Sequence, residues 1–376
     1  MNTKDWRRHF GLREAGVYYA LILLMAVIGL ITASSGGPNY FSAANLTNIL
    51  YQASLVGMMG VAMTVILITG NFDLSVASVA ALSGAVLISL AGAVGFWPAV
   101  CVAMLVAVAV GLLNGAIVQL LGINAFIVTL GTLTAIRGLV LIVTNSRSLL
   151  VEDPAVKAQM VAFEGGRAPI QAALFAIGAV LIAGAAYAMV RRKGGAPIGV
   201  AIGGAVLILL GVLGGAGLTV AKPVIYTAIY TLIVWFVLGF TTIGRRVYAV
   251  GGNAEAARLS GVKVGLYKMA AFVLCSATAG FAGILFACRL GAINPTALQG
   301  AELTVIAAAI LGGTSLFGGA GSVVKTLAGA LLLFALANGF NILNLGANYQ
   351  GLIEGTVVVA AAAIYTVGGA RRRRAA

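Results

Sequence analysis

Acidic side chains are scarce in this chain. Nine Asp and Glu stand against 23 Lys and Arg in 376 residues, and charged residues make up only 9% of the whole. A typical globular protein carries about 25% charged residues, so an ordinary soluble domain is excluded. Histidine is almost absent. The single one, His9, sits in a basic N-terminal tail and reads as a solvated side chain. No Ser/His/Asp arrangement can be built without a usable histidine, so no catalytic residue is expected and an enzyme reading has little support. There are three cysteines, Cys101, Cys275 and Cys288, each inside an apolar run. They read as small core residues, with no metal-ligand spacing and no disulfide framework. No metal site and no cofactor is expected.

What the chain has is apolar length. Hydrophobic residues make up 61% of it and the mean hydropathy is +1.08. A span needs about 20 apolar residues. Candidate spans fall near 17–33, 46–69, 74–94, 97–121, 124–143, 170–190, 197–220, 223–243, 269–289, 303–316, 322–345 and 348–369. The run 303–316 is short and ends in glycines, as a half-helix would. The expected fold class is therefore an all-α polytopic membrane protein of about 10–12 transmembrane helices. The net charge of +14 does not mark a nucleic-acid binder, because the cations flank apolar runs and are not interleaved with aromatics on a polar face. They set orientation instead. An even number of spans with both termini cytoplasmic puts Arg191 to Lys193, Arg245, Arg246, Arg258, Lys263, Lys268 and Arg371 to Arg374 on the inner side, as the positive-inside rule favours. No cleavage pattern follows Val17 to Ala33, so no cleavable leader is expected. The long outer loop, Asn145 to Ala168, carries Glu152, Asp153 and Glu164. It reads as a solvated loop, or as a contact surface for an external partner.

The longest polar, cationic stretch between apolar runs is Gly244 to Lys268. Asn253 stands where an N-cap would, Ala254 to Leu259 fill one or two helical turns, and Gly261 is the stop. Glu255 lies in the first turn and Arg258 near the last, as the helix dipole prefers. A short capped helix on the cytoplasmic face is expected. It is either a solvated connector or a docking element.

The chain also echoes itself. Asn114-Gly115 is matched by Asn338-Gly339, Gly122 by Gly346, Asn124 by Asn348 and Gly131 by Gly355, each pair 224 residues apart. Under the expected topology the two copies are inverted. Inverted repeats with Gly-interrupted helices place a substrate path between them. Few charges lie within the expected spans: Asp73 stands at the break before 74–94, Arg137 lies within 124–143, Glu302 opens 303–316 and Glu354 lies early in 348–369. Each is a functional or a pairing candidate, because such groups are costly in lipid. Asp73 reads as a path residue, as a cap for the helix that follows, or as both. Asn114, Asn124, Asn338 and Asn348 read as helix glue or as hydrogen-bonding groups for a polar solute. Phe126 and Trp235 read as packing, or as stacking faces for a sugar. Gly291 to Val324 is rich in glycine and reads as a re-entrant or broken helix, since irregular backbone at membrane depth survives only against protein or a wet cavity. Within it, Gly319 to Thr326 imitates a P-loop, but Val324 occupies the place of the second glycine and no strand precedes it, so nucleotide binding is rejected.

Taken together, Asp73 to Val76, Ala125 to Gly131, Arg137-Gly138, Gly244-Arg245-Arg246 to Gly261 and Leu311 to Ser315 resemble the permease subunits of ATP-binding-cassette sugar importers, ribose/xylose branch. The resemblance covers nearly the whole chain, from about 46 to about 369. It implies one permease domain over 1–376. Its parts would be a first repeat over 46–143, an outer loop with extra spans over 144–243, a cytoplasmic coupling loop over 244–268, and a second repeat over 269–369. It implies a permease homodimer in the lipid of a bacterial inner membrane, a cytoplasmic ATPase docked on Asn253, Glu255, Ala256, Arg258 and Gly261, and a periplasmic sugar-binding protein. No nucleic acid is implied. Three candidate spans between outer loop and coupling loop, where ribose-type members have one, make the chain look more like xylose-type permeases. D-xylose is then the expected cargo, with Asp73, Asn114, Phe126, Asn338, Thr314 and Ser315 along the path. The alternative is an ion-gradient-driven secondary transporter of a small polar solute, with Asp73 or Glu354 as its ion site. The scarcity of carboxylate pairs weighs against it. A structural subunit of a membrane enzyme complex is disfavoured for want of histidine.

Overall fold

The computed structural model describes residues 12–190, 197–215, 218–344 and, beyond these, 351–352, 355–356 and 359. The expected span 348–369 with Glu354, the repeat positions Gly346 and Asn348, the Arg191–Lys193 turn, His9 and both basic termini lie outside the described residues or fall on their gaps.

Helices dominate, as the apolar runs require. They are α1 (Leu12–Ser34), α2 (Ala43–Ile68), α3 (Val76–Val94), α4 (Phe96–Leu120), α5 (Ala125–Val143), α6 (Pro154–Met160), α7 (Gln171–Val190), α8 (Pro197–Gly214), α9 (Lys222–Phe240), α10 (Thr242–Gly252), α11 (Ala254–Leu259), α12 (Val264–Leu290), α13 (Ala301–Leu311) and α14 (Val323–Ile342). Eight of the described helices are long and apolar enough to cross a membrane: α1 to α5, α9, α12 and α14. The expected half-helix is α13, which ends at Leu311 and not at 316 because Gly312 and Gly313 break it. Two pairs of very short strands occur among the described residues. β1 (Leu149–Leu150) pairs with β4 (Ala292–Ile293), and β2 (Arg167–Pro169) with β3 (Thr219–Ala221), all antiparallel.

The core is made by α2, α3 and α12, which are buried over most of their length. Small residues let the backbones approach, as in other membrane helix interfaces. Two sets of contacts mirror one another. α4 runs antiparallel to α12, with Gly111 against Ser276 and Gly115 against Phe272. α14 runs antiparallel to α2, with Thr326 against Gly60 and Thr64, and Asn338 beside Asn45. α2 and α12 are themselves antiparallel, with Leu55 and Met58 clustered on Leu285 and Tyr51 beside Arg289. α3 lies parallel to α12 at Ala80 and Gly283, just as α13 lies parallel to α2 at Val305 and Gly60.

A close crossing lies at Gly283, where an added Cβ would overlap the Ala80 carbonyl. Gly283→Val is expected to force α3 from α12 and to cost about 1–3 kcal/mol, as overpacking does. Thermal unfolding of the purified protein checks this against Gly92→Ala on α3, whose new Cβ meets open space and should leave the midpoint unchanged.

The outer loop is not a solvated surface throughout. α6 is capped by Asp153, which accepts from the Ala155 N–H at 2.8 Å, and runs into a π-helical turn over Val161–Gly165. That turn drives Phe163 among Phe96, Trp97, Tyr226 and Phe281. It also buries Glu164, which bonds Arg289 Nε at 3.1 Å and accepts from Tyr51 Oη at 2.6 Å. The sequence places Glu164 among the loop's outward charges. The apolar pull of Phe163 next to it and the waiting cation turn it inward.

The residues expected to add spans form a hairpin, α7 with α8, that packs chiefly on itself. Gly178 and Gly204 sit backbone against backbone, and Phe175 covers Gly211. The β2–β3 pair and a bond from Gln171 Nε2 to the Gly211 carbonyl close its base.

Candidate functional site

The polar stretch between α9 and α12 folds by its caps. α9 stops at Phe240, and Thr241, in extended conformation, accepts from the Gly244 N–H with its side chain. This starts α10, a helix that sequence reasoning does not single out. Its Ile243, Val247 and Val250 recur at helical spacing, a signal blurred by three glycines. Asn253 ends α10 and caps α11, accepting from the Ala256 N–H at 3.0 Å. Gly261 takes φ +79°. Its N–H donates to the Arg258 carbonyl and that of Val262 to the Ala257 carbonyl, a Schellman stop. Val250, Ala257 and Val264 pin α11 to its neighbours. Glu255, Ala256, Arg258 and Leu259 face outward, with Leu259 82% exposed. A leucine this bare, on a rigid helix beside two charges, is suited to a protein partner. Sequence reasoning does not single it out.

The end of α10 lies where two breaks in the bundle come together. One is Thr69–Ser75, between α2 and α3. The other is Gly312–Ser322, between α13 and α14. Tyr248 Oη donates to the Gly321 carbonyl at 2.9 Å. Burial pushes the Tyr248 phenol above its ordinary value. In the second break the Ser315 N–H bonds the Ala320 carbonyl, while Thr314 is buried with its hydroxyl unpaired. Phe317, at the tip, is 96% exposed, another feature that sequence reasoning misses.

Asp73, Ser75, Asn114 and Ser276 form one fully buried polar cluster where α3, α4 and α12 meet. Asp73 Oδ1 accepts from the Ser75 N–H at 2.8 Å and from Ser75 Oγ at 2.5 Å, and its Oδ2 accepts from Ser276 Oγ at 3.4 Å. Asn114 Nδ2 donates to Ser75 Oγ, and its Oδ1 is unpaired. Asp73 thus bonds at the start of α3, as a cap would. Asn338 lies near the far end of α2, donating to Asn45 Oδ1 at 2.9 Å, also with its own Oδ1 unpaired. Asn124 caps α5 through the Phe126 N–H. Phe126 is half exposed and meets Phe72 edge to face, 5.9 Å between centroids. Trp235 meets Phe240 instead. Arg137, at mid-height of α5, holds the turn before α13 by donating to the Ala297 and Pro295 carbonyls. The structure therefore joins Asp73 to Asn114 through Ser75, sets Phe126 against Phe72 beside Asp73, and places Asn338 on Asn45 instead. A cavity of about 530 Å³ is lined by α13 (Thr304, Ala307 and Ile310 among others), by Leu333 of α14 and by Gly351, Gly355 and Val359, and by none of the expected path residues.

A family model described as the permease component of a branched-chain amino acid transport system matches residues 45–362. The chain belongs to this permease family. Among its relatives are the Ribose import permease protein RbsC of Escherichia coli K12, 34% identical over 96% of both chains, and the Xylose transport system permease protein XylH of the same strain, 32% identical over 92% of this chain and 90% of the relative. The D-allose transport system permease protein AlsC, also of that strain, is 30% identical over 93% and 90%. No solved structure matches. The permease is a multi-pass membrane protein, and its matched region contains the capped helix and both broken segments.

Proposed function

We propose that this permease is the membrane subunit of an ATP-driven sugar importer, with a pentose, D-xylose in our reading, as cargo. The observation that carries the proposal is α11, a capped, outward-facing helix set between two helix sets that pack reciprocally. Its relatives are named for ribose, xylose and allose at nearly equal identity, which favours a monosaccharide but does not rank one. The α7–α8 hairpin between outer loop and docking helix is the reason for reading xylose.

Two identical permeases would pair in a bacterial inner membrane, with both termini cytoplasmic. A cytoplasmic ATPase would dock on Asn253, Glu255, Ala256, Arg258 and Gly261, and a periplasmic binding protein would deliver the sugar from outside. Closure of the ATPases would push on α11 and rock the two halves past each other, opening the path to one side and then the other. The antiparallel run of α2 against α12, and their matching third helices, support the inverted halves this needs. Phe126 and the Thr314–Ser315 turn are the path residues with access to solvent or to a break. Asp73 and Asn114, with no open surface, would hold the joint from which α3 starts, and Asn338 the joint of α14 with α2.

Uptake in whole cells tests the class. Transport should survive an uncoupler and fail on ATP depletion, and a P-loop ATPase should co-purify in stoichiometric amount. A chain that purifies alone and moves sugar in liposomes under an ion gradient would overturn the proposal. Labelled D-xylose challenged with excess D-ribose or D-allose decides the cargo.

A further inference from the structure

Three backbone segments meet at the end of α10 with no side chain between them. The Gly319 N–H donates to the Ile68 carbonyl at 2.9 Å. A Cβ on Gly251 would overlap that same carbonyl and stand 2.8 Å from the Gly319 nitrogen. A Cβ on Gly318 would stand 2.7 Å from the Gly251 carbonyl oxygen and 3.1 Å from Gly70 Cα. Gly318 and Gly319 take φ +87° and +71°, which glycine adopts without strain. The three segments are the docking connector, the break after α2 and the break after α13. One helix end thus touches the last residue of α2 and the turn after α13 at once, and that turn itself touches Gly70 of the break after α2.

Side chains can change rotamer and absorb a shift. Backbones in direct contact cannot, and close-packed interiors transmit displacement. We propose that the Ile68–Gly251–Gly319 contact is the transmission joint of the permease, through which movement of the docking helix reaches the Thr69–Ser75 and Gly312–Ser322 turns together. Gly251 is then a positioning residue for coupling, tied to the second break also by Tyr248. This rests on the importer reading above. Gly252, its neighbour in the same helix, supplies the control: a Cβ there meets open space.

The experiment compares wild type, Gly251→Ala, Gly252→Ala and Tyr248→Phe in the full complex. Membrane abundance, co-purified ATPase, ATP hydrolysis and sugar uptake are measured for each. Gly251→Ala should keep its abundance and its ATPase and continue to hydrolyse ATP, while uptake falls at least tenfold. The ratio of sugar moved to ATP hydrolysed is the readout that a merely structural role would not move. Gly252→Ala should stay within twofold of wild type. Tyr248→Phe should lower the same ratio, which keeps the proposal testable should Gly251→Ala fail to accumulate. An unchanged ratio in Tyr248→Phe overturns the joint. So does an unchanged ratio in an accumulated Gly251→Ala, an equal loss in Gly252→Ala, or a loss of uptake that only tracks loss of bound ATPase. Failure of the importer reading would appear in the wild type, as transport without ATP, before any variant is made.

Discussion

Arg289→Ala is expected to destabilise the permease by about 3–5 kcal/mol, the range for breaking one side of a buried ion pair. Glu164 is 2% exposed, and its carboxylate is held by Arg289 Nε at 3.1 Å and the Tyr51 hydroxyl at 2.6 Å. Arg289 does more than neutralise it. Its Nη2 donates to the Tyr51 carbonyl, and its guanidinium lies 3.7 Å from the Tyr51 ring centroid. Truncation would leave a buried carboxylate with one neutral donor, and would release the turn that carries Phe163. Glu164→Gln is milder: the amide oxygen still accepts from Tyr51, and Arg289 retains its stacking. About 1.5–3 kcal/mol is expected there, the scale of one charge-assisted hydrogen bond. Replacing both residues, as Glu164→Leu with Arg289→Leu, should recover much of the loss, because no uncompensated charge remains. Thermal unfolding of the three variants in detergent checks the series. Arg289→Ala melting with the wild type would mean that the outer turn does not depend on the pair.

Much of this fold was legible because a membrane chain writes its helices as apolar length. The spans expected at 46–69, 97–121 and 124–143 lie within three residues, at each end, of α2, α4 and α5. The caps of α11 were legible for a local reason: Asn253 and Gly261 act within one turn of themselves. Features that depend on tertiary contact were not. Gly251 looks like any glycine until Ile68, nearly two hundred residues away, is brought against it. Glu164 looks like a surface charge until Arg289 arrives from another helix. Asp73 could be read as a cap or as a path residue, and its place depended on whether Ser276 and Asn114 would enclose it. The α7–α8 hairpin was legible as two apolar helices but its packing chiefly on itself was not, because apolar length says nothing of what a helix packs against.

Ala256→Asp is expected to lower sugar uptake at least tenfold while leaving the amount of permease in the membrane unchanged. The substitution is mild for the fold. Ala256 is exposed, its N–H is already capped by Asn253, and an acidic side chain in the first turn suits the helix dipole. It is severe for docking. The outward face of α11 joins Glu255, Ala256, Arg258 and Leu259 over six residues, so an ATPase docked as proposed would close on Ala256 at short range. A new carboxylate there must either shed its water or hold the partner away, and burying an unpaired charge costs several kcal/mol. Leu259→Asp should act likewise by removing the one large apolar group on that face. Gly261→Ala tests the stop rather than the face: at φ +79° it adds about 1–2 kcal/mol of backbone strain, and its effect on uptake should be the smaller. Co-purification separates the causes, since the two Asp variants should lose the ATPase and keep the permease. Wild-type uptake by both of them would remove α11 from the docking surface, and Phe317, bare at the tip of the neighbouring turn, would be the next side chain to change.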